Sequence, residues 1–210
     1  MHITLIGAGP RGLMLLGRLI SWQRTRYPQR QLTVFLVDPY PIGGRVWKID
    51  QDPNLIMNTA AAQITLFTDQ TVTGVGPFIA GPDLSTWALT LAADYLDAHP
   101  EINNRSILMR QAANLGPNSY ASRALYGVYQ QWFFDLQKHQ AGTNIITYKQ
   151  QTVNRLDKKA AGFTITTTQE SWQTDQVVMA LGNLKNSLTR DQKALHDYAQ
   201  THQLFYLEPG

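Results

Sequence analysis

The chain has 210 residues, which is enough for one substantial hydrophobic core. Its 43% hydrophobic and 16% charged residues are typical of a globular protein, and a net charge of +3 without a basic cluster argues against nucleic-acid binding. No cysteine is present, which excludes disulfides, thiolate metal sites and cysteine nucleophiles. No apolar run approaches the roughly 18 residues of a membrane span, so we expect no membrane insertion and a cytoplasmic location.

The N-terminal pattern predicts a strand, a helix and a second strand. Residues 2–6 form a short apolar strand that runs into a glycine-rich turn without a basic leader. A helix is predicted over residues 11–23, because Leu13, Leu16 and Ile20 fall on one face. Residues 32–37 are a near-continuous apolar run, as expected for a strand covered on both faces in a parallel sheet.

The middle of the chain predicts a connection and two helices. Residues 40–82 are rich in Gly, Pro, Asn and Thr with weak periodicity, which indicates a long functional connection. One helix is predicted over residues 85–99 with Ser85 as its N-cap. A second is predicted over residues 122–140, with Gly142 just beyond its end. Within it Gly127 is unfavourable, and packing against another helix is preferred to a ligand contact.

From residue 144 onward the pattern predicts mainly β structure. Strands are predicted over residues 145–149, 152–156 and 163–166, with turns over 157–162 and 169–171. A buried strand over residues 177–182 and a final helix over 191–202 complete the chain.

The strongest motif is Gly7-x-Gly9-x-x-Gly12 between the first strand and the first helix. In such a motif the first glycine permits the sharp turn, the second lets backbone approach a pyrophosphate, and the third lets the helix pack on the strand. The helix N-terminus then offers free N–H groups to the phosphates. Pro10 and Arg11 lie inside the motif and are included in the predicted site, with Arg11 able to add charge or to point into solvent.

Asp38, at the end of the second strand and followed by Pro39, is the second element of the predicted site. A carboxylate here can accept hydrogen bonds from both adenosine ribose hydroxyls and would repel a 2′-phosphate. The alternative interpretation is an ordinary aspartate at a strand end.

The third element is the apolar segment Val177-Val178-Met179 followed by the turn Ala180-Leu181-Gly182. With the glycine motif and the intervening β segment, this order resembles the two-dinucleotide-binding-domain flavoproteins. These include flavin monooxygenases and glutathione reductase-like enzymes, and the resemblance is closest to the monooxygenase-like FAD/NAD(P)-binding protein family. The turn departs from the family pattern in having Leu181 where Thr is commoner.

The resemblance implies an α/β, Rossmann-like FAD-binding fold with a parallel central sheet, helices on its faces and a three-stranded antiparallel β meander. We expect a single FAD-binding domain over residues 1–210, with a Rossmann core over 1–40 and 140–185 and a helical insertion over about 83–141. The implied cofactor contacts are Gly7, Gly9 and Gly12 at the pyrophosphate, Asp38 at the ribose, Arg45, Val46 and Trp47 along the cofactor, Asn58 near the isoalloxazine, Val153 at the adenine, and Ala180 and Gly182 beside the FAD.

The function implied is a monooxygenase-like FAD-dependent oxidoreductase, reduced by NAD(P)H and acting on a small-molecule substrate. No catalytic residue is assigned, and the five histidines show no metal-ligand spacing, so no metal is expected. The absence of a cysteine pair excludes disulfide reductase chemistry.

Two other functions stay open at this point: an NAD-dependent dehydrogenase with a single Rossmann domain, and a non-catalytic dinucleotide-binding module. There is no second glycine fingerprint, and the chain stops soon after Gly182. We therefore expect a truncated or partial oxidoreductase that acts as a homo-oligomer or with a partner domain.

Overall fold

The computed structural model describes residues 1–68, 76–183 and 187–207. Residues 69–75 of the predicted connection and 184–185 of the predicted Rossmann core lie outside these ranges. The chain divides into two compact units, Met1–Ala180 and Leu181–Gly210. The predicted assignment of one domain with a helical insertion stays a prediction.

The described strands, in chain order, are β1 (His2–Ile6), β2 (Thr33–Asp38), β3 (Ile56–Ala60), β4 (Tyr120–Ser122), β5 (Ile145–Gln150), β6 (Val153–Lys159), β7 (Gly162–Thr167), β8 (Ser171–Thr174) and β9 (Gln176–Met179). The described α-helices are α1 (Pro10–Arg26), α2 (Leu84–Thr90), α3 (Ala92–Ala98), α4 (Arg105–Ala113), α5 (Arg123–Gln140) and α6 (Arg190–Thr201). A short 3₁₀ helix follows β3 at Ala61–Gln63.

A four-stranded parallel sheet in the order β5-β2-β1-β9 forms the centre of the first unit. Its inner strands β1 and β2 are buried, and Leu5, Val34 and Leu36 are fully inaccessible to solvent. This burial accounts for their apolar sequences. The chain passes from β1 to β2 on one side and later returns to β9 on the other, so the strand order reverses at β1. In open parallel sheets, a ligand crevice lies at the carboxyl ends of the strands at such a point.

The helix α5 crosses the first unit and packs against α1. Ser122 is its N-cap, because the Ser122 hydroxyl accepts from the Leu125 N–H at 3.1 Å, so α5 begins at Arg123, one residue after the predicted start. The two helices approach closely at Gly17 of α1, where a Cβ would lie 2.9 Å from the Phe133 Cζ. The fully buried side chains of Tyr129 and Phe133 join α5 to the core.

The predicted three-stranded antiparallel meander is present as β6-β7-β8. Strand β6 extends further than predicted, because Lys158 pairs with Phe163 and Lys159 pairs with Gly162. Gly162 has a φ of +102°, which permits the sharp reversal into β7. The turn is therefore shorter than the predicted range of 157–162.

The helix predicted over residues 85–99 is wrong in two respects. It is divided at Leu91 into α2 and α3. Its N-cap is Asp83, whose carboxylate accepts from the Thr86 N–H at 2.9 Å, whereas the buried Ser85 hydroxyl donates to the Leu115 carbonyl. The sequence also gave no sign of α4 or of the antiparallel pair β3–β4.

The second unit contains α6, which begins one residue before its predicted start. Thr189 and Gln192 form a reciprocal capping box at its N-terminus, which satisfies two backbone donors. Within the described parts of the chain, no helix has both the length and the apolar character needed to cross a membrane.

Candidate dinucleotide-binding site

Two of the three motif glycines are required by the fold itself. Gly7 follows β1 with a φ of +115°, and its N–H donates to the Val37 carbonyl at 2.8 Å. A Cβ on Gly12 would lie only 2.0 Å from the Gly7 carbonyl oxygen. The first turn of α1 can therefore pack on the glycine turn only when residue 12 has no side chain.

Gly9, the N-cap of α1, is not explained by packing. Its φ of −78° is open to any residue. The nearest described atom to a Cβ built on Gly9 is the Gly43 carbonyl oxygen, 3.8 Å away, which is an ordinary van der Waals distance. The fold therefore leaves room for a side chain at Gly9, and a glycine here fits a close approach by another molecule.

The N-terminus of α1 is suited to an anion. Pro10 occupies its first turn, and the first intrahelical hydrogen bond runs from the Leu13 N–H to the Gly9 carbonyl at 3.0 Å. The N–H groups of Arg11 and Gly12 therefore have no intrahelical acceptor. The first turn contains no acidic residue, so nothing on the helix itself offsets its positive end. The Arg11 side chain is exposed.

The carboxylate of Asp38 lies beside the glycine turn and is 8% exposed. Its Oδ2 accepts from the Ala8 N–H at 2.8 Å, and its Oδ1 accepts from the Tyr40 N–H at 2.9 Å. Each carboxylate oxygen has a second lone pair. The group therefore joins the end of β2 to the glycine turn and keeps capacity for further donors such as sugar hydroxyls.

The loop 43–47 closes over the glycine turn. The Gly43 N–H donates to the Ala8 carbonyl at 3.0 Å. Gly43 and Gly44 have φ angles of +101° and +68°, which explains why two glycines stand here. A Cβ on Gly44 would lie 3.5 Å from the Asp38 Oδ2 and 3.6 Å from the Gly9 nitrogen. Both glycines therefore belong to the candidate site, together with the three following residues that were predicted to lie along the cofactor.

The predicted residues of this loop differ in their surroundings. Arg45 and Val46 are exposed, whereas Trp47 is half-buried and its ring meets the edge of Tyr126 on α5 at 5.0 Å between centroids. Pro39 is exposed immediately after Asp38. Trp47 thus has a structural contact with α5 that the sequence did not indicate.

Tyr148 is a further residue near Asp38 that was not predicted from the sequence. Its hydroxyl donates to the Tyr40 carbonyl. Burial raises the pKa of Tyr148, with the negative charge of Asp38 as a second cause, so the hydroxyl keeps its proton. The available signal was its position in β5, which pairs in parallel with β2.

The remaining predicted residues fall in three places. The Ala180 N–H donates to the Ile6 carbonyl at 2.7 Å, which sets it at the carboxyl end of β1 beside the glycine turn. Val153 begins β6 shortly after Gln150, the register partner of Asp38. Asn58 is exposed in β3, which belongs to a separate two-stranded sheet. Gly182 belongs to the second unit and has a φ of +65°.

Gly127 does not pack against another helix, contrary to the preferred interpretation of the sequence. A Cβ built on it would lie 2.4 Å from the Trp47 carbonyl oxygen and 3.2 Å from the Ile49 Cγ1. Its neighbour is therefore the backbone of the loop that follows Asp38.

Comparison with known proteins identifies relatives of this architecture. A family model described as FAD-NAD(P)-binding matches residues 4–184. An L-aspartate N-monooxygenase (nitrosuccinate-forming) of Streptomyces davaonensis is 40% identical over 134 residues, covering 63% of this chain and 20% of the relative. The nitrosuccinic acid synthase npaA of Aspergillus oryzae is 33% identical over 217 residues, covering 100% of this chain and 30% of the relative.

Among solved structures, the lysine monooxygenase NbtG of Nocardia farcinica superposes with a TM-score of 0.52 at 11% identity, covering 97% of this chain and 52% of that one. At this identity the likeness concerns the fold alone. This chain spans 20 to 30% of the length of these two curated relatives.

The family match extends over most of the chain, and the parallel sheet, glycine turn and antiparallel meander agree with it. The predictions of a Rossmann-like fold, of FAD and NAD(P) as the nucleotides, and of a relationship to monooxygenase-like flavoproteins are confirmed. The chain belongs to the FAD-NAD(P)-binding family.

Proposed function

We propose that this chain is the FAD-binding part of a flavin-dependent monooxygenase that oxidises the amino nitrogen of an acidic amino acid. The observation that carries the proposal is the cradle formed by Gly9, the N-terminus of α1 and Asp38. Protein packing does not require a glycine at Gly9, the N–H groups of the first helical turn have no intrahelical acceptor, and a carboxylate with spare lone pairs lies across the turn.

These residues fit the adenosine diphosphate half of FAD. The N–H groups of Arg11 and Gly12 would donate to the diphosphate at the positive end of α1. Asp38 would accept from the adenosine ribose hydroxyls while Ala8 and Tyr40 hold its carboxylate in place. Because Asp38 carries a negative charge, the same site would disfavour a nucleotide with a 2′-phosphate.

Other predicted residues would line the cofactor further along. Ala180 lies at the carboxyl end of β1, and Val153, which begins β6, would lie beyond the ribose. Arg45, Val46 and Trp47 would follow the loop that covers the diphosphate. Asn58 near the isoalloxazine and Gly182 beside the FAD are proposed on the resemblance to flavoproteins.

Bound FAD would supply the redox chemistry, accepting hydride from NAD(P)H and passing electrons on to oxygen. The residues of this chain would bind the cofactor, orient it and keep its charged groups paired. No side chain of the chain is assigned as a catalytic acid, base or nucleophile.

The substrate is proposed from the names of the relatives. Proteins that share 40% and 33% identity with this chain are an L-aspartate N-monooxygenase and a nitrosuccinic acid synthase. We therefore propose L-aspartate, or a closely similar dicarboxylic amino acid, as the small-molecule substrate. We also propose that the protein works in the cytoplasm, as a homo-oligomer or with a further domain.

The test is the oxidation of NADH and NADPH in air by the purified, FAD-loaded chain together with the proposed further domain, with and without L-aspartate. The proposal predicts reduction of the bound flavin and L-aspartate-dependent formation of an N-oxidised product, detected by mass spectrometry, with L-lysine as the control substrate. Flavin that NADH and NADPH both fail to reduce would favour a non-catalytic module. NAD⁺ binding in place of FAD would favour a dehydrogenase.

A further inference from the structure

Helix α5 contains a glycine at a position where its neighbour is protein backbone. Gly127 is buried, and an alanine in its place would favour the helix. Yet a Cβ there would lie 2.4 Å from the Trp47 carbonyl oxygen and 3.3 Å from the Ile49 nitrogen. Since both atoms are backbone, no change of side-chain rotamer can relieve the overlap.

The same carbonyl of Trp47 is also pressed against the other end of its own loop. A Cβ on Gly43 would lie 2.6 Å from this oxygen, so the loop 43–47 closes tightly on itself. The Trp47 ring meets Tyr126 of α5 at 5.0 Å in an edge-to-face arrangement with an interplanar angle of 83°. Helix α5 thus contacts the loop through one glycine and one aromatic ring.

The other side of the loop contacts the nucleotide cradle. Gly43 donates to the Ala8 carbonyl at 3.0 Å, and Gly44 packs beside Asp38 and Gly9. A continuous series of contacts therefore runs from Gly127, through Trp47 and Gly43, to the glycine turn. A displacement of the Trp47 carbonyl would move the loop that lies over the proposed diphosphate position.

We propose that Gly127 is a positioning residue for the cofactor, holding the loop 43–47 against the glycine turn without touching the nucleotide. The inference rests on the proposed FAD binding and names the element that sets the geometry of its site. Misplacement by about 1 Å in a binding site can reduce function on the order of 100-fold.

The test is the substitution Gly127→Ala, with Gly17→Ala as the matched control. Both glycines are buried within their helices, but at Gly17 the nearest atom to a Cβ is the Phe133 Cζ at 2.9 Å, a core side-chain atom and not the backbone of the loop. Flavin fluorescence titration should show FAD binding weakened at least about ten-fold by Gly127→Ala and changed less than about two-fold by Gly17→Ala. Wild-type affinity in a folded Gly127→Ala variant would overturn the inference.

A second readout does not depend on FAD. Trypsin can cut the loop region after Arg45 and Lys48, and a displaced loop is cut faster than one held against α5. Without FAD, the Gly127→Ala chain should be cut at these two positions faster than wild type, whereas Gly17→Ala should match wild type. Equal cleavage rates in all three proteins would overturn the inference, whether or not the wild-type chain binds FAD.

A wild-type chain that fails to bind FAD would refute the proposed function, and the trypsin comparison would still decide the role of Gly127. If Gly127→Ala does not fold, the pair Tyr126→Leu and Tyr126→Phe replaces it. Phe keeps the ring against Trp47, whereas Leu removes it. Weaker FAD binding and faster loop cleavage for Leu than for Phe support the inference, and equal behaviour overturns it.

Discussion

The two substitutions Gly9→Ala and Gly12→Ala should separate cofactor binding from folding within a single motif. At Gly12 the added Cβ lies 2.0 Å from the Gly7 carbonyl oxygen and 3.1 Å from the Gly7 carbonyl carbon. Overpacking of this kind typically destabilises by about 1–3 kcal/mol, and the backbone contact places Gly12→Ala at the upper end. The gain of about 1 kcal/mol in helix propensity does not offset it.

At Gly9 the situation is reversed. The nearest described atom lies 3.8 Å from the added Cβ, and the φ of −78° suits alanine. Alanine is a less favourable N-cap than glycine, which lowers the free energy of unfolding by about 0.5–1 kcal/mol. Alanine also makes the unfolded chain less flexible, which raises the free energy of unfolding by about the same amount. We therefore expect almost no change in the free energy of unfolding, but FAD binding weakened at least about ten-fold, or 1.4 kcal/mol.

Urea unfolding of the FAD-free chains measures the free energy of unfolding, and flavin fluorescence titration measures the affinity for FAD. The reasoning would be refuted if Gly9→Ala bound FAD as tightly as wild type, or if Gly12→Ala had the same urea midpoint of unfolding as wild type.

Three further predictions concern buried polar groups. Asp38→Asn replaces one of the two carboxylate oxygens that accept from the Ala8 and Tyr40 N–H groups by an NH₂ group. Urea unfolding should therefore show a free energy of unfolding that is lower by about 1–3 kcal/mol. An unchanged urea midpoint would contradict these two contacts. Burial raises the pKa of Tyr129 to about 12, so the folded state keeps a proton that the unfolded state loses near pH 10. The contribution of Tyr129 to the free energy of unfolding should therefore be complete below pH 10 and be lost as the pH rises towards 12. The free energy of unfolding should fall less steeply with pH in Tyr129→Phe than in wild type, and equal slopes in the two proteins would contradict this prediction. Gln130 is fully buried, and its side-chain amide lacks a hydrogen-bond partner among the described residues. Gln130→Leu should raise the free energy of unfolding by about 1 kcal/mol, and a decrease would show that the amide is hydrogen-bonded.

The parts of the fold that the sequence predicted depend on local patterns. The apolar run of β2 and the motif glycines each depend on residues that are close together in the chain, so their signals are complete in the sequence. The predicted helix over residues 85–99 failed because Asp83, outside the predicted range, caps the helix, and Ser85 is instead bonded to the distant Leu115.

The candidate site was predictable only in part for the same reason. The motif assigned a distinct role to each of its three glycines, and the structure adds that a Cβ at Gly12 would meet backbone at 2.0 Å, whereas a Cβ at Gly9 would meet no described atom closer than 3.8 Å. The contacts of Gly127 with the loop and of Tyr148 with Tyr40 join residues far apart in the chain. Such contacts depend on how the elements pack, which periodicity and spacing do not specify.

A crystal structure of the chain grown with FAD tests the central claim most directly. The account predicts the cofactor diphosphate against the backbone N–H groups at the start of α1, within van der Waals contact of Gly9, and the adenosine ribose bonded to Asp38. FAD bound at another position, or a folded chain that takes up no FAD at saturating concentration, would contradict it.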